Sequence, residues 1–466
     1  MAKTGEDSLI KGLGLLDSTT LVVGSMIGSG IFIVAADISR QVNSPGLLMM
    51  TWIVTAAMTL IAALSYGELA AAMPQAGGQY VYLREAFGPM WGFLYGWTLF
   101  LVIQTGTIAA VAVAFAKYTG VFAPSISAEH YLFGRGRVGL TTQDLLAIAV
   151  VVVLTWSNTR GIRTGAVVQN IFTVAKTAGL LGLIALAFLA GRNAPAIQRN
   201  FSDFWHGGGW NFNTVRMVGV AMVGALFSSD AWNNVTFTAG EVRNPRRNLP
   251  LSLALGVAIV SALYIACNFG YLQVLPLEAI QHAPEDRVAT AVAGKIFGSA
   301  EQLMALAIMV STFGCNNGLI LAGARVSYAM AKDGVFFQRA ARVDPLHHTP
   351  RFALGVQCAW TILLILSGSY SDLLDYVIFA ALLFYILTIA GLFVLRRSRP
   401  DLERPYRAFG YPVLPAVYIA AASVLEVLLL FYKPNYTWPG LIIVVLGIPV
   451  YFLWRRKGAL GIASRE

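Results

Sequence analysis

The stretch from Leu15 to Phe32 reads LLDSTTLVVGSMIGSGIF, an apolar run with a segment of small residues near its middle. Three glycines and two serines fall within Gly24–Gly30. Each glycine costs about 1 kcal/mol of helix propensity relative to alanine, so a continuous helix is disfavoured here. Backbone groups freed in hydrocarbon need partners, and a bound polar solute can supply them. The segment therefore predicts a broken helix whose second half offers amides and a positive dipole end to an anion.

Two other interpretations of this segment compete with the broken helix. Gly24 and Gly28 have the small-xxx-small spacing of a helix-packing face. A dinucleotide-binding fingerprint requires G-x-G-x-x-G after a strand, and this segment has neither the spacing nor the strand.

The composition indicates an all-α protein that crosses a membrane many times. Of the 466 residues, 57% are hydrophobic and 12% are charged, and the mean hydropathy is +0.66. Soluble chains are about 45–50% apolar and about 25% charged, which excludes a soluble enzyme, a nucleic-acid reader and a disordered scaffold. A span needs roughly 20 apolar residues. We expect about twelve, at 15–40, 46–73, 89–120, 142–159, 161–190, 214–240, 249–275, 301–331, 352–369, 373–397, 412–433 and 438–455.

The distribution of basic residues predicts the orientation of these spans. An even number of spans places both termini on one side, and the segments on that side carry about twice as many Lys and Arg residues as the others. The positive-inside rule then predicts cytoplasmic termini in a multi-pass protein of the plasma membrane. The net charge of +10 is therefore a topology signal that requires no nucleic-acid partner.

A second polar segment, GALFSSDAWNN at residues 224–234, interrupts the sixth predicted span. Ser and Asp prefer N-cap positions to helix interiors, so we expect the helix to end near Phe227 and to restart near Ala231. Asp230 either caps the second half or turns its carboxylate towards a site for an ammonium group or a cationic side chain. Trp232 either lines that site or only packs beside it. Paired interruptions in two halves of a chain indicate a secondary-transporter binding site.

Lys176 lies near the middle of the predicted span 161–190. Its side chain is too short to reach either interface, so snorkelling cannot hydrate the ammonium group. An unpaired lysine at this depth costs about 2.5–3.5 kcal/mol, which predicts an inward-facing polar partner. A purely structural lysine and a proton-coupling lysine remain alternatives. Arg325 and Lys332, near the end of the eighth span, are predicted to anchor that helix at the interface.

Several motifs in chain order resemble the amino acid–polyamine–organocation superfamily and, within it, the L-type amino acid transporter group. The motifs are GSMIGSGIF at 24–32, YGEL at 66–69, PQAGGQY at 74–80, YLREAFGP at 82–89, DAWNN at 230–234, NPRRNLP at 244–250 and RPYR at 404–407. The resemblance implies a LeuT-type fold, in which two inverted five-helix repeats and two further helices surround a central site, with helices 1 and 6 unwound. It implies alternating access around that site.

The resemblance also divides the chain. A cytoplasmic N-terminus at 1–14 precedes a core at 15–397, whose repeats cover approximately 15–190 and 214–397. A cytoplasmic loop at 398–411, two additional helices at 412–455 and a cytoplasmic tail at 456–466 follow.

Site residues follow from the same resemblance. Ser25, Ser29 and Gly30 match the segment that holds a substrate carboxylate, and the Met26 carbonyl matches one that receives the substrate ammonium. Phe227 matches the aromatic side chain that closes over the substrate, and Asn233 lies on the side of the substrate side chain. The full expected binding set is Ser25, Met26, Ile27, Gly28, Ser29, Gly30, Phe227, Ser228, Asp230, Trp232 and Asn233. Many relatives have a small residue at the position of Asp230, so this chain departs from the pattern there.

The resemblance gives Lys176 a coupling role. Its ammonium is expected to occupy the place that sodium takes in sodium-coupled relatives. The expected partners are the carbonyl near Gly24 and the hydroxyls of Ser311 or Thr312. This arrangement implies transport that does not depend on sodium.

The function expected from the sequence is sodium-independent exchange of neutral L-amino acids. A proton-coupled or cationic amino acid transporter is the alternative, and a non-transporting amino-acid sensor is an alternative of another class. We expect no cofactor, no metal and no enzymatic activity, because no histidine or catalytic pair has suitable spacing. Animal relatives use a cysteine in the loop between spans three and four to bind a heavy subunit. Residues 121–141 contain no cysteine, so we expect no disulfide-linked subunit.

Overall fold

The chain folds into a bundle of α-helices, seen in a computed structural model that describes residues 9–135, 138–209, 211–298, 301–367 and 370–463. The first half contains α1 (Leu15–Met26), α2 (Gly30–Val42), α3 (Pro45–Ala72), α4 (Gln79–Phe87), α5 (Pro89–Thr98), α6 (Gln104–Thr119), α7 (Thr142–Asn158), α8 (Ile162–Leu189) and α9 (Ala194–Ser202). The second half contains α10 (Phe212–Ser228), α11 (Asn234–Phe237), α12 (Pro245–Val274), α13 (Leu277–Gln281), α14 (Val288–Phe297), α15 (Glu301–Lys332), α16 (Arg351–Ser367), α17 (Tyr370–Ser398), α18 (Val413–Tyr432) and α19 (Pro434–Ala463).

Shorter elements join the helices. A π-helical turn at Leu99–Ile103 connects α5 to α6, and 3-10 turns lie at Ala239–Glu241, Pro284–Asp286 and Gln338–Ala341. The strands β1 (Tyr131–Arg135) and β2 (Val138–Thr141) pair antiparallel before α7.

Within the described residues, eight helical segments are long and apolar enough to cross a membrane. The pair α1 and α2, bent by 41° at the break between them, forms a ninth span. The helices α7, α10 and α16 have 17 residues each, or about 25 Å, which is close to the thickness of the hydrocarbon core. This order of spans confirms the all-α multi-pass membrane class and agrees with the expected LeuT-type fold. The division into two repeats stays a prediction.

Both predicted interruptions are present. The first helix ends at Met26, Ile27 adopts an extended conformation, and α2 begins at Gly30. The sixth span ends its first half at Ser228, close to the expected position. Its second half begins at Asn234 rather than near Ala231, because Ala231 takes a positive φ of 64° that helix geometry does not allow.

The end of the bundle that contains Leu13 is held by a buried ion pair. Arg325 of α15 donates two hydrogen bonds to the carboxylate of Glu241, at 2.8 and 3.0 Å, and a third to the Leu321 carbonyl. Backbone bonds from Gly12 and Leu13 to the Glu241 carbonyl tie the start of α1 to the same place. The expectation that Arg325 is an interface anchor is therefore wrong, because its side chain is 1% exposed and its guanidinium is paired with the buried carboxylate of Glu241.

A second buried carboxylate lies at this end of the bundle. Glu68 of α3 accepts hydrogen bonds from Arg396 at 2.6 and 2.9 Å and from the backbone amide of Ala408 at 2.7 Å. Arg404 lies 3.3 Å from the same carboxylate. Glu68 therefore holds the segment that joins α17 to α18 against α3.

Replacing Arg325 by Met should destabilise the protein strongly, because it leaves the Glu241 carboxylate buried and unpaired. Breaking a buried pair from one side costs about 3–5 kcal/mol. The thermal unfolding midpoint in detergent should fall clearly for Arg325→Met and recover in part when Glu241→Gln is added. Lys332→Met is the matched control on the exposed end of the same helix, and its midpoint should match that of the parent chain. Equal midpoints for Arg325→Met and Lys332→Met would contradict the assignment.

Candidate functional site

The first interruption is surrounded by side chains that bind its free carbonyls. Lys176, buried in the middle of α8, donates hydrogen bonds to the carbonyl of Gly24 and, at 2.7 Å, to that of Ile27. The Ser311 carbonyl lies 3.4 Å from the same ammonium group. The predicted contact between Lys176 and the Gly24 carbonyl is confirmed, and the ammonium receives the partners that its depth requires.

The predicted contacts of Lys176 with two hydroxyls of α15 are wrong. The Ser311 hydroxyl lies 3.2 Å from the carbonyls of Ile27 and Gly28, so only the backbone oxygen of Ser311 faces the ammonium. The Thr312 hydroxyl instead donates to the Ile308 carbonyl one turn earlier in its own helix. Threonine commonly makes this i−4 bond inside helices, because it satisfies the hydroxyl without a tertiary partner.

Tyr264 of α12 connects the two interruptions. Its hydroxyl lies 3.0 Å from the Met26 carbonyl and 3.1 Å from the Ser228 carbonyl. Carbonyls at the ends of α1 and α10 therefore converge on one donor. Tyr264 is not among the residues predicted for the site, although a polar aromatic residue in the middle of an apolar span needs a hydrogen-bond partner.

Close backbone approach fixes the position of the first interruption between its neighbours. A Cβ atom added to Gly30 would lie 2.8 Å from the Cβ and 3.0 Å from the Cα of Ser228. A Cβ added to Gly24 would lie 2.0 Å from the Gln169 amide nitrogen and 2.2 Å from the Thr173 hydroxyl. Glycine is therefore required at position 30, where a Cβ would meet backbone, whereas at position 24 a Cβ would force the side chains of Gln169 and Thr173 to move.

The second interruption carries a chain of hydrogen-bonded polar side chains. The Tyr385 hydroxyl donates to the Asp230 carboxylate at 2.6 Å, and the Asn233 amide donates to the Gln79 carbonyl oxygen at 2.8 Å. The Gln79 amide in turn donates to the Thr388 hydroxyl at 3.0 Å. Asp230 does not cap the second half of the helix, because α11 begins four residues later with Asn233 at its N-cap position.

Two adjoining cavities lie beside this polar chain and share Asp230, Ala381 and Tyr385 in their walls. The first cavity is also lined by the polar residues Gln79, Gln104, Thr107, Asn233 and Asn234. Trp232 lines the second cavity and packs edge-on against the Tyr66 ring at 4.7 Å. Of the predicted site residues, Asp230, Trp232 and Asn233 thus border empty space.

The other predicted site residues are buried and do not line these cavities. They are Ser25, Met26, Ile27, Gly28, Ser29, Gly30, Phe227 and Ser228. The Ser25 hydroxyl makes no hydrogen bond within the described structure and faces Gly318 of α15. The Ser25 carbonyl accepts a hydrogen bond from the Cys315 thiol at 3.1 Å. The structure therefore brings all the predicted residues into one region, with the side chains of the second interruption nearest to the cavities.

Metal binding finds no support in the described part of the chain, where no group of three or more His, Cys, Asp and Glu side chains converges. The ammonium of Lys176 is the buried cation at the first interruption.

Comparison with known proteins identifies the relatives of this chain. The sequence profile of the amino acid permease family matches residues 13–452. The chain is 30% identical over 451 residues to the b(0,+)-type amino acid transporter 1 of Mus musculus, covering 96% of this chain and 88% of the relative. It is 30% identical over 458 residues to the human Asc-type amino acid transporter 1, covering 97% and 84%. It is 31% identical over 464 residues to the human large neutral amino acids transporter small subunit 2, covering 97% and 82%.

Gly30→Ala should destabilise the protein, because its new methyl group would meet the backbone and side chain of Ser228. Overpacking of this kind costs about 1–3 kcal/mol. Gly179→Ala is the matched control in α8, where a new Cβ meets nothing within 4 Å and helix propensity favours alanine by up to about 1 kcal/mol. Thermal unfolding of both variants in detergent should separate them in opposite directions. A Gly30→Ala variant as stable as Gly179→Ala would show that the two interruptions are not in contact.

Proposed function

This chain belongs to the amino acid permease family, and we propose that it is a secondary transporter that exchanges neutral L-amino acids by alternating access. The observation that carries the proposal is the contact between the two helix interruptions, at Gly30 and Ser228. Backbone groups freed from two broken helices at one depth are typical of substrate sites in secondary transporters. Relatives named for Asc-type and for large neutral amino acid transport support amino acids as the substrate class.

In this proposal the two charges of the substrate bind to different helix ends. The carboxylate binds at the beginning of α2, where Ser25, Ser29 and Gly30 lie and where the helix dipole is positive. The ammonium binds the carbonyls of Met26 and Ser228, which already converge on a single hydroxyl. Both groups are common to all α-amino acids, so these contacts do not select the side chain.

Side-chain selection falls to the second interruption. Phe227 closes over the bound substrate, and Trp232 and Asn233 face its side chain. The support is that Trp232 and Asn233 border the two cavities, whereas the residues of the first interruption do not. Differences in preference between relatives are then expected to arise mainly from the residues that follow Ser228.

Lys176 makes the proposed transport independent of sodium. Unwound carbonyls coordinate the coupling ion in sodium-dependent transporters of this architecture. Here the carbonyls of Gly24 and Ile27 are occupied by a covalently attached cation. A sodium ion would have to displace a group that is already paired, so we infer that the gradient of sodium is not used.

A second candidate function, transport of cationic amino acids, is favoured by Asp230. Its buried carboxylate borders both cavities and accepts a hydrogen bond from a neutral hydroxyl, that of Tyr385. An ammonium or guanidinium group at the end of a substrate side chain would complement this carboxylate.

Two further inferences concern the protein in its membrane. We infer that both termini are cytoplasmic and that the plasma membrane is the location, from the excess of Lys and Arg in the segments on that side. We also infer that no partner is attached by a disulfide through the loop before α7. The three cysteines are Cys267, Cys315 and Cys358, which all lie within helices far from that loop in sequence.

Counterflow into proteoliposomes tests the proposed function directly. Vesicles containing the purified chain and preloaded with unlabelled leucine should accumulate labelled leucine, equally with and without sodium or a pH gradient. Isopentylamine, which is leucine without its carboxylate, should not compete, because the beginning of α2 would have no anion to bind. Preference for lysine over leucine would favour the cationic candidate, and a requirement for a pH gradient would favour proton coupling. Substrate binding without counterflow would contradict transport and indicate a sensor.

Lys176→Met should fold but lose most of its uptake, because the carbonyls of Gly24 and Ile27 lose the donor that holds them together. We expect a decrease of at least tenfold in initial rate, which is about 1.4 kcal/mol of barrier. Lys332→Met is the matched control, because Lys332 is exposed and contacts the Tyr328 ring rather than an interruption. Folding is checked by the thermal unfolding midpoint of both variants. Unchanged uptake in Lys176→Met would show that the lysine has a packing role only.

A further inference from the structure

The hairpin formed by β1 and β2 presents large apolar side chains outward. It lies at the end of the bundle where α2 and α6 end, opposite to the end that contains Leu13. Phe133 is 80% exposed and Leu132 is 54% exposed, and Tyr131 beside them is also exposed. Adjacent exposed apolar side chains on a short hairpin indicate a surface that is covered by something other than water.

An irregularity in the strand pairing places these side chains together. Tyr131 pairs with Thr141 and Phe133 pairs with Leu140, so Leu132 is an extra residue in β1. A bulge of this kind bends the strand and redirects the side chains next to it. Leu132 and Phe133 are both exposed, and so are Tyr131 and Gly134 on either side of them, although neighbouring residues of a regular strand face opposite sides.

The hairpin surface continues the surface that the helices present to lipid. Strand β2 runs directly into α7, where Thr141 caps the helix by accepting a hydrogen bond from the Asp144 amide. The first turns of α7 expose Leu145, and β2 also packs beside α16, which exposes Leu363 and Leu366 at its last turns. These exposed leucines belong to membrane-spanning helices and therefore face acyl chains at this end of the bundle.

We propose that the β1–β2 hairpin inserts Leu132 and Phe133 into the leaflet at this end of the bundle, at the boundary between headgroups and acyl chains. This boundary accommodates apolar and aromatic side chains on its acyl-chain side and a polar backbone on its headgroup side. The occupant of the surface is thus the bilayer, because β2 packs beside α16 and runs directly into α7, two helices whose exposed leucines face lipid. This inference goes beyond transport and does not depend on the substrate.

Spin labelling in vesicles tests the insertion. Phe133→Cys, and Leu132→Cys as a second position, are labelled in proteoliposomes that contain only this protein, and the background from the native cysteines is measured on the parent chain. Glu129→Cys is the matched control, because Glu129 is exposed in the polar part of the same loop. We expect collisions with oxygen to exceed those with a water-soluble nickel complex several-fold at 132 and 133, and the reverse at 129.

Two outcomes would overturn the proposal. Labels at 132 and 133 that respond like the label at 129 would place the hairpin in water. Labels that are shielded from both oxygen and nickel would indicate a contact with protein, such as a second copy of this chain. Since the readout is a collision rate rather than uptake, its result is independent of whether the proposed exchange activity is found.

Discussion

The structure depends on the need to satisfy the carbonyls that the first interruption frees inside the membrane. An unpaired backbone group in this environment costs several kcal/mol. Lys176 from α8, Tyr264 from α12 and Ser311 from α15 supply donors to these carbonyls. One short segment therefore fixes the relative positions of three long helices. The same contacts give the buried ammonium of Lys176 the partners that make its burial tolerable.

The polar groups of the two interruptions have different kinds of hydrogen-bond partner. This difference is consistent with the proposal that the first binds the charged groups of the substrate and the second selects its side chain. At the first, donors from other helices bind the backbone itself, and Gly24 and Gly30 allow close approach. At the second, side chains of Asp230 and Asn233 bind other side chains and border the cavities. Substitution at the second interruption can change the shape and charge of the cavities without removing a donor from the carbonyls of the first interruption. We therefore expect substrate preference to vary more easily than the recognition of the amino and carboxyl groups.

Much of the fold could be predicted from local sequence, whereas most of the hydrogen-bond and ion-pair partners could not. The glycines of 24–30 weaken the helix wherever the segment lies, so the first break could be predicted from residues alone. The contact of Lys176 with an interruption could be predicted, because a lysine ammonium at that depth needs hydrogen-bond acceptors and an interrupted helix has free carbonyls. Thr312 could not be assigned, because a threonine hydroxyl can bind within its own helix as well as across to another. The burial of Arg325 could not be predicted, because its partner, Glu241, is distant in sequence and lies in a segment without a clear helical pattern.

The contacts at the end of the bundle near Leu13 determine which parts would move together in the proposed alternating-access cycle. Leu13 pairs with Val242 like a short parallel strand, and backbone bonds join Gly12 and Leu13 to Glu241 and Arg243 to Leu13. These bonds couple the start of α1 to the segment that ends the sixth span. The carboxylate of Glu241 then fastens both to Arg325 of α15. At this end of the bundle, a movement that separates the start of α1 from α15 breaks either three backbone bonds or one buried ion pair. If the ion pair breaks, α1 and the end of the sixth span stay together. An opening at this end would also admit water, which would hydrate both of the separated charges. The ion pair is therefore the contact that we expect to break.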